Sequence, residues 1–392
     1  MNFSRPVWVE VSLDNIKHNV TKVAGFISRR TKVMAVVKAN AYGHGLVEVA
    51  RACIKSQPSR VVFLGVSSVE EGISIRRAKI KSPVLILGTL YPFESFKEVL
   101  KHSLVPTVAS VLGLKVLDGY ARKLNRVAPF HLKVDTGMGR IGISPDAVKG
   151  FLRNMEECRN VRLEGVFTHF AAADSDDAFT KEQIRLFDGV VGAVKEGASA
   201  IKGMRFNGIE FHAASSSAII KFPESHYSMV RPGLCLYGLL PFPGSDSVLR
   251  TKPALSWKTK VVFVKRMPAG ARISYGGTFV TKRPSIIATI PVGYGDGYSR
   301  KLSNKGCVLI KGRRAPVVGR ITMDMSMIDV TGIPPVVPGD EVTVAGLSGV
   351  RVGSARPDAI SIEEIAGLCE TINYEVTCNI HPRVPRIWTS LR

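Results

Sequence analysis

Several features that would place this chain in a particular class are missing from its sequence. No uncharged apolar run approaches the ~20 residues that cross a bilayer, because the most apolar stretches, such as 62–66 and 84–87, are only as long as a strand. The first ten residues lack the apolar stretch of a signal peptide. The six cysteines form no Cys-x-x-Cys pair and no Cys/His spacing suited to zinc. We therefore expect a cytoplasmic protein with reduced cysteines, no membrane contact and no metal site.

A nucleic-acid-binding motif is also missing, although the formal net charge is +22, from 54 Lys and Arg against 32 Asp and Glu. A charge of this size makes nucleic acids, membrane surfaces and small anions candidate partners. Many of the basic residues fall in helical stretches such as 76–81 and 122–126, with no interleaved aromatic residues. We interpret them as solvated helix faces and expect no specific nucleic-acid partner.

The part of the chain before residue 240 has the pattern of repeated βα units. Short β-branched runs alternate there with stretches of helical period, such as 46–54, 69–80 and 178–195. Such alternation is typical of a parallel sheet. The predicted strands are residues 33–37, 60–66, 84–87, 104–107, 130–134, 163–168, 209–212 and 227–231. Eight strands with intervening helices over roughly 230 residues indicate an α/β fold with a TIM-like (β/α)8 barrel.

The composition changes after residue 240. Residues 241–247 have the composition of a linker, and the rest is rich in Val, Ile and Thr interrupted by Gly and Pro. We predict a barrel domain at 10–240 and a β-rich C-terminal domain at 241–392, with residues 1–9 as a candidate addition to the second. The predicted elements of that domain are strands at 257–264, 285–292, 306–310, 315–318, 325–330 and 341–344 and a helix near 362–370. An open doubly wound sheet is the structural alternative for the first domain, but no Gly-x-Gly-x-x-Gly follows its first strand.

The candidate chemistry lies at the C-terminal ends of the predicted strands, where such barrels place their active sites. Lys38 ends the first strand after five apolar or small residues. Desolvation on one side lowers the pKa of such a lysine and makes the neutral amine available for Schiff-base chemistry. The alternative is a solvated lysine at a strand end.

Four other strand ends face the same mouth. The segment His212-Ala-Ala-Ser-Ser-Ser and the segment Arg231-Pro-Gly follow strands seven and eight, whose loops bind phosphate in many barrels. Arg140 lies in a glycine-rich segment after strand five, and His169 follows strand six, where a core imidazole is the alternative. Hydroxyls, cations and a glycine in these loops favour a phosphorylated cofactor.

In combination these segments resemble the alanine racemase family, whose members are fold-type III pyridoxal-phosphate enzymes. The segment around Lys38 and the Arg231-Pro-Gly sequence are its most specific parts. The resembling stretches follow the family order over nearly the whole chain, at 36–45, 131–142, 168–174, 212–217, 229–238, 273–278, 291–298, 319–330 and 371–387. The resemblance implies interconversion of L-alanine and D-alanine with pyridoxal 5'-phosphate, which supplies D-alanine for peptidoglycan.

The resemblance also implies roles for the barrel residues. Lys38 matches the lysine that carries the cofactor and acts on one face of the substrate. Arg231 matches the arginine that faces the pyridine nitrogen, with His212 as its partner. Arg140 matches the arginine that holds the substrate carboxylate, and Lys133 matches a lysine that is carbamylated in some members. The other implied cofactor contacts are Tyr42, His169, Ser215, Ser216, Gly233 and Leu234.

From the second domain, Tyr275 matches the second base of the family, which enters the active site from the other subunit. A homodimer with shared active sites is therefore implied. A tyrosine base needs positive charge nearby, and Arg231, His169 and His212 are the implied sources. The remaining matches are Met323 and Asp324 at the substrate pocket and Tyr294, Arg300, Arg320 and Asp174 in an access corridor. A surface ion-pair network is the alternative for the two corridor arginines.

Two positions depart from the family pattern. Ser215 stands where the family usually has Asn, and Pro382 stands where it has a tyrosine that touches the phosphate. The hydroxyl and bulk missing at Pro382 leave serine, or a broader range of amino acids, as alternative substrates. A related decarboxylase needs a carboxylate near the pyridine nitrogen, so Arg231 argues against it. A non-catalytic barrel that carries the cofactor is the other alternative, and such relatives lack the second domain.

Overall fold

A parallel sheet dominates the N-terminal part of the chain. The computed structural model describes residues 4–200, 208–347 and 359–390. Strand β1 (Val7–Ser12) is followed by β2 (Lys32–Val36), β3 (Val61–Val66), β4 (Val84–Thr89), β5 (Val105–Val108), β6 (Ala128–Lys133), β7 (Val161–Phe167), β8 (Glu210–His212) and β9 (Met229–Val230). Strands β2 to β9 correspond to the eight predicted barrel strands, and their bounds differ from the predicted bounds by at most two residues.

These eight strands close into a barrel. They run parallel in the spatial order β8-β7-β6-β5-β4-β3-β2-β9. At the closure, the amide of Ser228 donates to the carbonyl of Phe211 at 3.2 Å and the amide of Arg231 donates to that of Ala214 at 2.9 Å. The predicted (β/α)8 architecture is therefore confirmed. A cluster of side chains separate from the main core comes from six of the strands and comprises Met34, Phe63, Leu85, Val105, Phe167 and Met229.

Helices cover the outside of the barrel, and several begin at serine caps. Ser12, Ser68 and Ser110 each accept a hydrogen bond from the amide three residues further on, which satisfies a helix N–H that has no partner inside the helix. None of the helices in the described ranges has the length and apolar character needed to cross a membrane. The helices of this part are α1 (Leu13–Phe26), α2 (Lys38–Tyr42), α3 (Leu46–Ser56), α4 (Val69–Arg77), α5 (Ser95–Lys101), α6 (Val111–Lys123), α7 (Val148–Met155), α8 (Asp177–Ala200), α9 (Ser216–Lys221), α10 (Leu234–Tyr237) and α11 (Asp246–Leu249).

The C-terminal part consists mainly of short antiparallel strands, which confirms the predicted β-rich region. Its strands are β10 (Leu255–Lys260), β11 (Phe263–Met267), β12 (Arg272–Ile273), β13 (Phe279–Val280), β14 (Ser285–Ile290), β15 (Cys307–Ile310), β16 (Arg313–Pro316), β17 (Ser326–Asp329), β18 (Glu341–Leu347), β19 (Ala359–Ile360) and β20 (Arg386–Thr389). Helices α12 (Ile362–Cys369) and α13 (Asn373–Cys378) precede the last strand.

One predicted strand of this region is wrong. Residues 257–264, predicted as a single strand, are divided between β10 and β11, which belong to different sheets. The chain changes sheets at this point because the amide of Val261 donates to Asp340, whereas the next amide, of Val262, donates to Thr289.

Strand β1 belongs to the C-terminal sheet, not to the barrel. It pairs antiparallel with β10 and parallel with β20, in a sheet with the order β16-β15-β18-β10-β1-β20. Helix α1 begins directly after β1 and packs against α3 of the barrel. The two parts of the chain are therefore joined at β1 as well as after residue 240.

Candidate active site

The ends of five barrel strands bring the predicted residues to one mouth. Lys38 lies two residues after β2, Lys133 ends β6 and His212 ends β8. His169 lies two residues after β7, and Arg231 directly follows β9. We define the barrel mouth as Lys38, Tyr42, Lys133, Arg140, His169, His212 and Arg231.

Lys38 is the first residue of a turn with a left-handed backbone. Residues 39–42 have φ values of 52–53° although none is a glycine, a conformation that costs L-residues roughly 1–2 kcal/mol each. Burial lowers the pKa of Lys38, and the charges of Arg140 and Arg231 lower it further. A lysine whose neutral form is favoured can accept a proton or attack a carbonyl carbon.

Arg231 is buried among hydrogen-bond acceptors. Its Nη2 donates to the carbonyls of Thr168 at 2.7 Å and Ala213 at 2.8 Å, and its Nη1 lies 2.9 Å from Nδ1 of His212. Because a guanidinium only donates, Nδ1 of His212 is the acceptor and its proton is on Nε2, which lies 2.9 Å from Nδ1 of His131. Burial lowers the pKa of Arg231 to about 9 and that of His131 to about 3. The two imidazoles are therefore neutral and hold the guanidinium in one orientation.

The charges of the mouth converge on His169. Burial lowers the pKa of this histidine well below its ordinary value, and Arg231, Lys133, Arg140 and Lys38 all lower it further. Burial, Arg231 and Arg140 likewise lower the pKa of Lys133. Within the described residues these four side chains form no ion pair, and the carboxylates of Asp135 and Glu71 only partly offset the lowering for Lys133 and Lys38. Arg231, whose pKa of about 9 keeps it charged near pH 7, makes the mouth suited to an anionic ligand.

Asp135 shapes the loop that carries Arg140. Its carboxylate accepts the amides of Gly137, Gly139 and Arg140 at 2.9–3.1 Å. Burial raises the pKa of Asp135, but these backbone bonds outweigh burial and the pKa is lowered overall. The sequence analysis missed Asp135, although an Asp just before two alternating glycines is a turn signal.

Hydroxyl groups and a glycine form the part of the mouth where a phosphate is expected. Ser216 Oγ accepts the amides of Gly233 at 3.0 Å and Cys235 at 3.3 Å, which leaves its own O–H as a donor. A Cβ at Gly233 would lie 2.6 Å from Tyr42 Oη, so a larger residue would displace this hydroxyl. The Ser215 side chain, at the start of α9, makes no capping bond, and Leu234 begins α10. This cradle of donors fits the phosphate of the implied cofactor.

The residues predicted from the second domain lie on its surface. Tyr275 is 70% exposed and Met323 is 54% exposed. Tyr275 begins the 3₁₀ turn Tyr275–Gly277, and the hydroxyl of the preceding Ser274 donates to the carbonyl of Arg320 at 2.6 Å. No contact joins Tyr275 to Lys38 among the described residues of one chain. We define the C-terminal face as Tyr275, Tyr294, Arg320, Met323 and Asp324.

A buried carboxylate orders part of the C-terminal face. Asp296 accepts hydrogen bonds from Arg5 at 2.5 and 2.6 Å and from Arg383 at 2.8 Å. Arg383 also donates to Asp324 at 2.8 Å, and Asp296 ends the 3₁₀ turn that Tyr294 begins. The sequence analysis missed Asp296 and Arg383, because nothing in the sequence indicates which arginines meet this aspartate.

The other corridor residues are exposed. Neither Arg300 nor Arg320 forms an ion pair within the described part of the chain, so the structure does not support the surface ion-pair network offered for them. Asp174 is close enough to Tyr374 of α13 to raise its pKa, after the larger effect of burial. The ring of Tyr374 lies edge-on to that of Tyr42, with centroids 6.2 Å apart. Tyr374, which the sequence analysis also missed, therefore connects the C-terminal part to the rim of the mouth.

The fold and the mouth together define a class of two-part barrel enzymes. The barrel holds a mouth lined by basic side chains beside a cradle of hydroxyl groups, and the β-rich part presents aromatic and acidic side chains outward. Such an arrangement is suited to small ligands that carry anionic groups.

Comparisons with known proteins identify the family. The sequence model of the N-terminal domain of alanine racemases matches residues 11–241, and that of the C-terminal domain matches residues 254–388. The alanine racemase of Halothermothrix orenii is 42% identical over 384 residues, which are 98% of this chain and 97% of that protein. The alanine racemase of Symbiobacterium thermophilum is 44% identical over 385 residues, with the same shares covered.

Solved structures similar to this chain are also alanine racemases. The alanine racemase from Bacillus anthracis with bound L-Ala-P has a TM-score of 0.88 at 36% identity, over 99% of this chain and 96% of that one. The alanine racemase of Clostridium difficile 630 has a TM-score of 0.88 at 34% identity, over 99% and 97%. The chain belongs to the alanine racemase family and is a racemase enzyme.

Proposed function

We propose that this protein interconverts L-alanine and D-alanine with pyridoxal 5'-phosphate as its cofactor. The observation that carries the proposal is the buried Arg231, which is fixed by bonds to Thr168, Ala213 and His212 at the same strand ends as Lys38, beside the hydroxyl cradle around Gly233. The cofactor phosphate and the substrate carboxylate are both anions, and these groups supply the matching donors and charge. The names of the relatives support alanine as the substrate, and supply of D-alanine for peptidoglycan is the corresponding role.

The barrel residues would hold the cofactor at both of its ends. Tyr42, Ser215, Ser216 and the backbone at Leu234 would bind the phosphate, and Gly233, whose amide donates to Ser216, would allow the close approach of the chain. Lys38 would bind the cofactor covalently, and His169 would pack beside the ring. When bound, pyridoxal phosphate supplies an electron sink for the negative charge that develops at Cα.

Arg231 would face the pyridine nitrogen. A guanidinium cannot take the place of a carboxylate there, because it donates hydrogen bonds and accepts none. Arg231 would therefore leave that nitrogen unprotonated and the electron sink weak, which restrains side reactions. The bonds from Arg231 to Thr168, Ala213 and His212 support this role because they fix the guanidinium.

Racemisation removes a proton from one face of Cα and returns a proton to the other, so it needs two acid–base groups. Lys38 would serve one face, since burial and neighbouring cations favour its neutral amine. Tyr275 of the partner subunit would serve the other face. The exposure of Tyr275 and its lack of contact with Lys38 among the described residues of one chain support a site shared in a homodimer.

The proposal divides the work between two domains. The barrel, at 10–240, binds the cofactor and the substrate carboxylate, the latter through Arg140. The β-rich part, at 241–392 and joined by β1, supplies the second base and borders the substrate with Met323 and Asp324. Pro382, which is exposed beside Arg383, makes serine the competitor to test.

A chiral assay tests the proposal directly. Purified protein with pyridoxal phosphate is incubated with L-alanine or L-serine, and the D-enantiomers are separated and quantified. We expect D-alanine to form faster than D-serine. Equal rates would show a broader substrate range, and a protein that neither takes up pyridoxal phosphate nor racemises alanine would contradict the proposal.

Borohydride reduction followed by peptide mapping should place the cofactor on Lys38.

A further inference from the structure

The left-handed turn after Lys38 needs contacts from outside itself. Four successive residues other than glycine, 39–42, have φ values of 52–53°, and such backbone persists only where surrounding contacts determine it. Lys38 lies at the start of this turn and Tyr42 at its end. The turn therefore sets the distance between the amine and the phenol.

His44 holds the turn from the inside. Its ring is fully buried, and Nδ1 lies 3.1 Å from the carbonyl oxygen of Ala41 and 2.9 Å from that of Tyr42. Carbonyl oxygens only accept, so Nδ1 carries the proton and donates to both. Burial lowers the pKa of His44 to about 4, so the ring is neutral near pH 7. Its Nε2 has no partner among the described residues.

The last strand of the C-terminal sheet holds the turn from the other side. Trp388 Nε1 donates to the carbonyl of His44 at 2.9 Å, and Arg386 Nε donates to that of Gly43 at 3.1 Å. The indole also fills the space beside Gly45, where a Cβ would lie 2.6 Å from the ring. Both donors belong to β20, which pairs with β1 in the C-terminal sheet. The backbone that follows Lys38 is thus attached to the second part of the chain.

We propose that His44 and Trp388 are positioning residues, which fix the left-handed turn so that Lys38 and Tyr42 hold the two ends of the cofactor at the right separation. This inference rests on the proposed function. Neither side chain is among the residues that would hold the cofactor. Their effect passes through the carbonyls of Ala41, Tyr42 and His44.

Two matched tryptophan variants test the inference. Trp388→Phe removes the N–H that bonds to the turn, whereas Trp8→Phe removes an N–H that donates to Glu10 in the neighbouring strand β1. The dissociation constant for pyridoxal phosphate is measured by titration, and the visible circular dichroism of the bound cofactor reports its orientation. We expect Trp388→Phe to raise that constant about fivefold, the effect of one lost hydrogen bond, and to change the dichroism. We expect Trp8→Phe to change neither.

Equal pyridoxal-phosphate binding by wild type and Trp388→Phe would overturn the role of Trp388, and so would equal weakening in the two tryptophan variants. For His44, we expect His44→Asn, whose amide N–H is placed like Nδ1–H, to bind the cofactor more tightly than His44→Phe. Equal binding by these two variants would overturn the role of the His44 N–H. If His44→Phe does not fold, the inference is tested by the pyridoxal-phosphate binding of Trp388→Phe and Trp8→Phe. A wild-type chain that takes up no pyridoxal phosphate would overturn the proposed function and this inference together, whereas the variant outcomes above overturn the inference alone.

Discussion

The barrel mouth and the C-terminal face contribute to the proposed site in opposite ways. In the mouth, Arg231 is 5% exposed and makes four close polar contacts, with Thr168, Ala213, His212 and His169. On the C-terminal face, Tyr275 is 70% exposed. The side chains of the barrel mouth are held in place by contacts within one chain, whereas Tyr275 of the C-terminal face points to the solvent.

This difference indicates which part is complete in a single chain. The mouth has its cations, its cradle and the bonds that orient them, so we expect one chain to suffice for binding the proposed cofactor. In the C-terminal face, the ion pairs of Asp296 with Arg5 and Arg383 order the surrounding loops. Within one chain, however, Tyr275 makes no contact with the barrel mouth among the described residues. A site assembled from the mouth of one subunit and the face of the other accounts for both observations.

The largest predicted effects come from removing one acid–base group from each region. Lys38→Ala and Tyr275→Phe should each lower kcat for alanine racemisation by about a thousandfold or more, because each removes proton transfer on one face. Only Lys38→Ala should also abolish covalent attachment of the cofactor. Racemisation rates and absorbance spectra check this prediction. Tyr91→Phe, at another exposed tyrosine, is the control. Loss of cofactor attachment in Tyr275→Phe would refute the assignment of cofactor binding to the barrel mouth alone.

The second prediction concerns acid stability. The pKa values of His44 and His131 are about 4 and about 3 in the folded chain, against about 6.5 when unfolded. Between the folded and unfolded pKa values, the unfolded state therefore binds more protons than the folded state. The free energy of unfolding has its highest value above pH 6.5 and decreases as the pH is lowered. For His44 the loss is about 3 kcal/mol by pH 4.

This loss should be confined largely to the barrel. His381 is the single histidine after residue 241, and it is exposed. Hydrogen exchange at pH 6.5 and pH 4.5, corrected for intrinsic rates, should show a greater loss of protection in β6 and β8 than in β10. An equal loss in all three strands would remove the contrast between the regions.

A smaller effect is expected from the two serines of the cradle. Ser216→Ala removes the acceptor of two backbone amides and a donor to the phosphate, so the dissociation constant for pyridoxal phosphate should rise about tenfold or more. Ser215→Ala, which removes a hydroxyl without a capping bond, should raise it by only a few fold. Titration of the two variants without cofactor, with added pyridoxal phosphate, checks which dissociation constant rises more. A larger rise in Ser215→Ala would contradict Ser216 as the main serine contact of the phosphate.

Much of the barrel was predictable from the sequence because its strands are β-branched runs separated by helical periods. The same pattern placed Lys38, His169, His212 and Arg231 at strand ends, since a strand end can be located to within two residues. The family resemblance supplied the roles of these residues, which periodicity alone does not give.

Contacts between distant parts of the chain were not predictable. The left-handed turn at 39–42 has no glycine inside it, and its partners Arg386 and Trp388 lie more than three hundred residues away in sequence. The division of 257–264 between two sheets likewise depends on which strands lie alongside. Such features follow from tertiary packing, which local sequence patterns do not report.

Complementation between two inactive variants tests the shared site most directly. Lys38→Ala and Tyr275→Phe proteins are mixed, unfolded and refolded together, and alanine racemisation is compared with that of each variant refolded alone. If Tyr275 acts across a two-fold dimer, half of the dimers are hybrids with one intact site, so about a quarter of the wild-type activity should return. A mixture that is no more active than its components, although hybrid dimers are present, would contradict a site formed from two subunits.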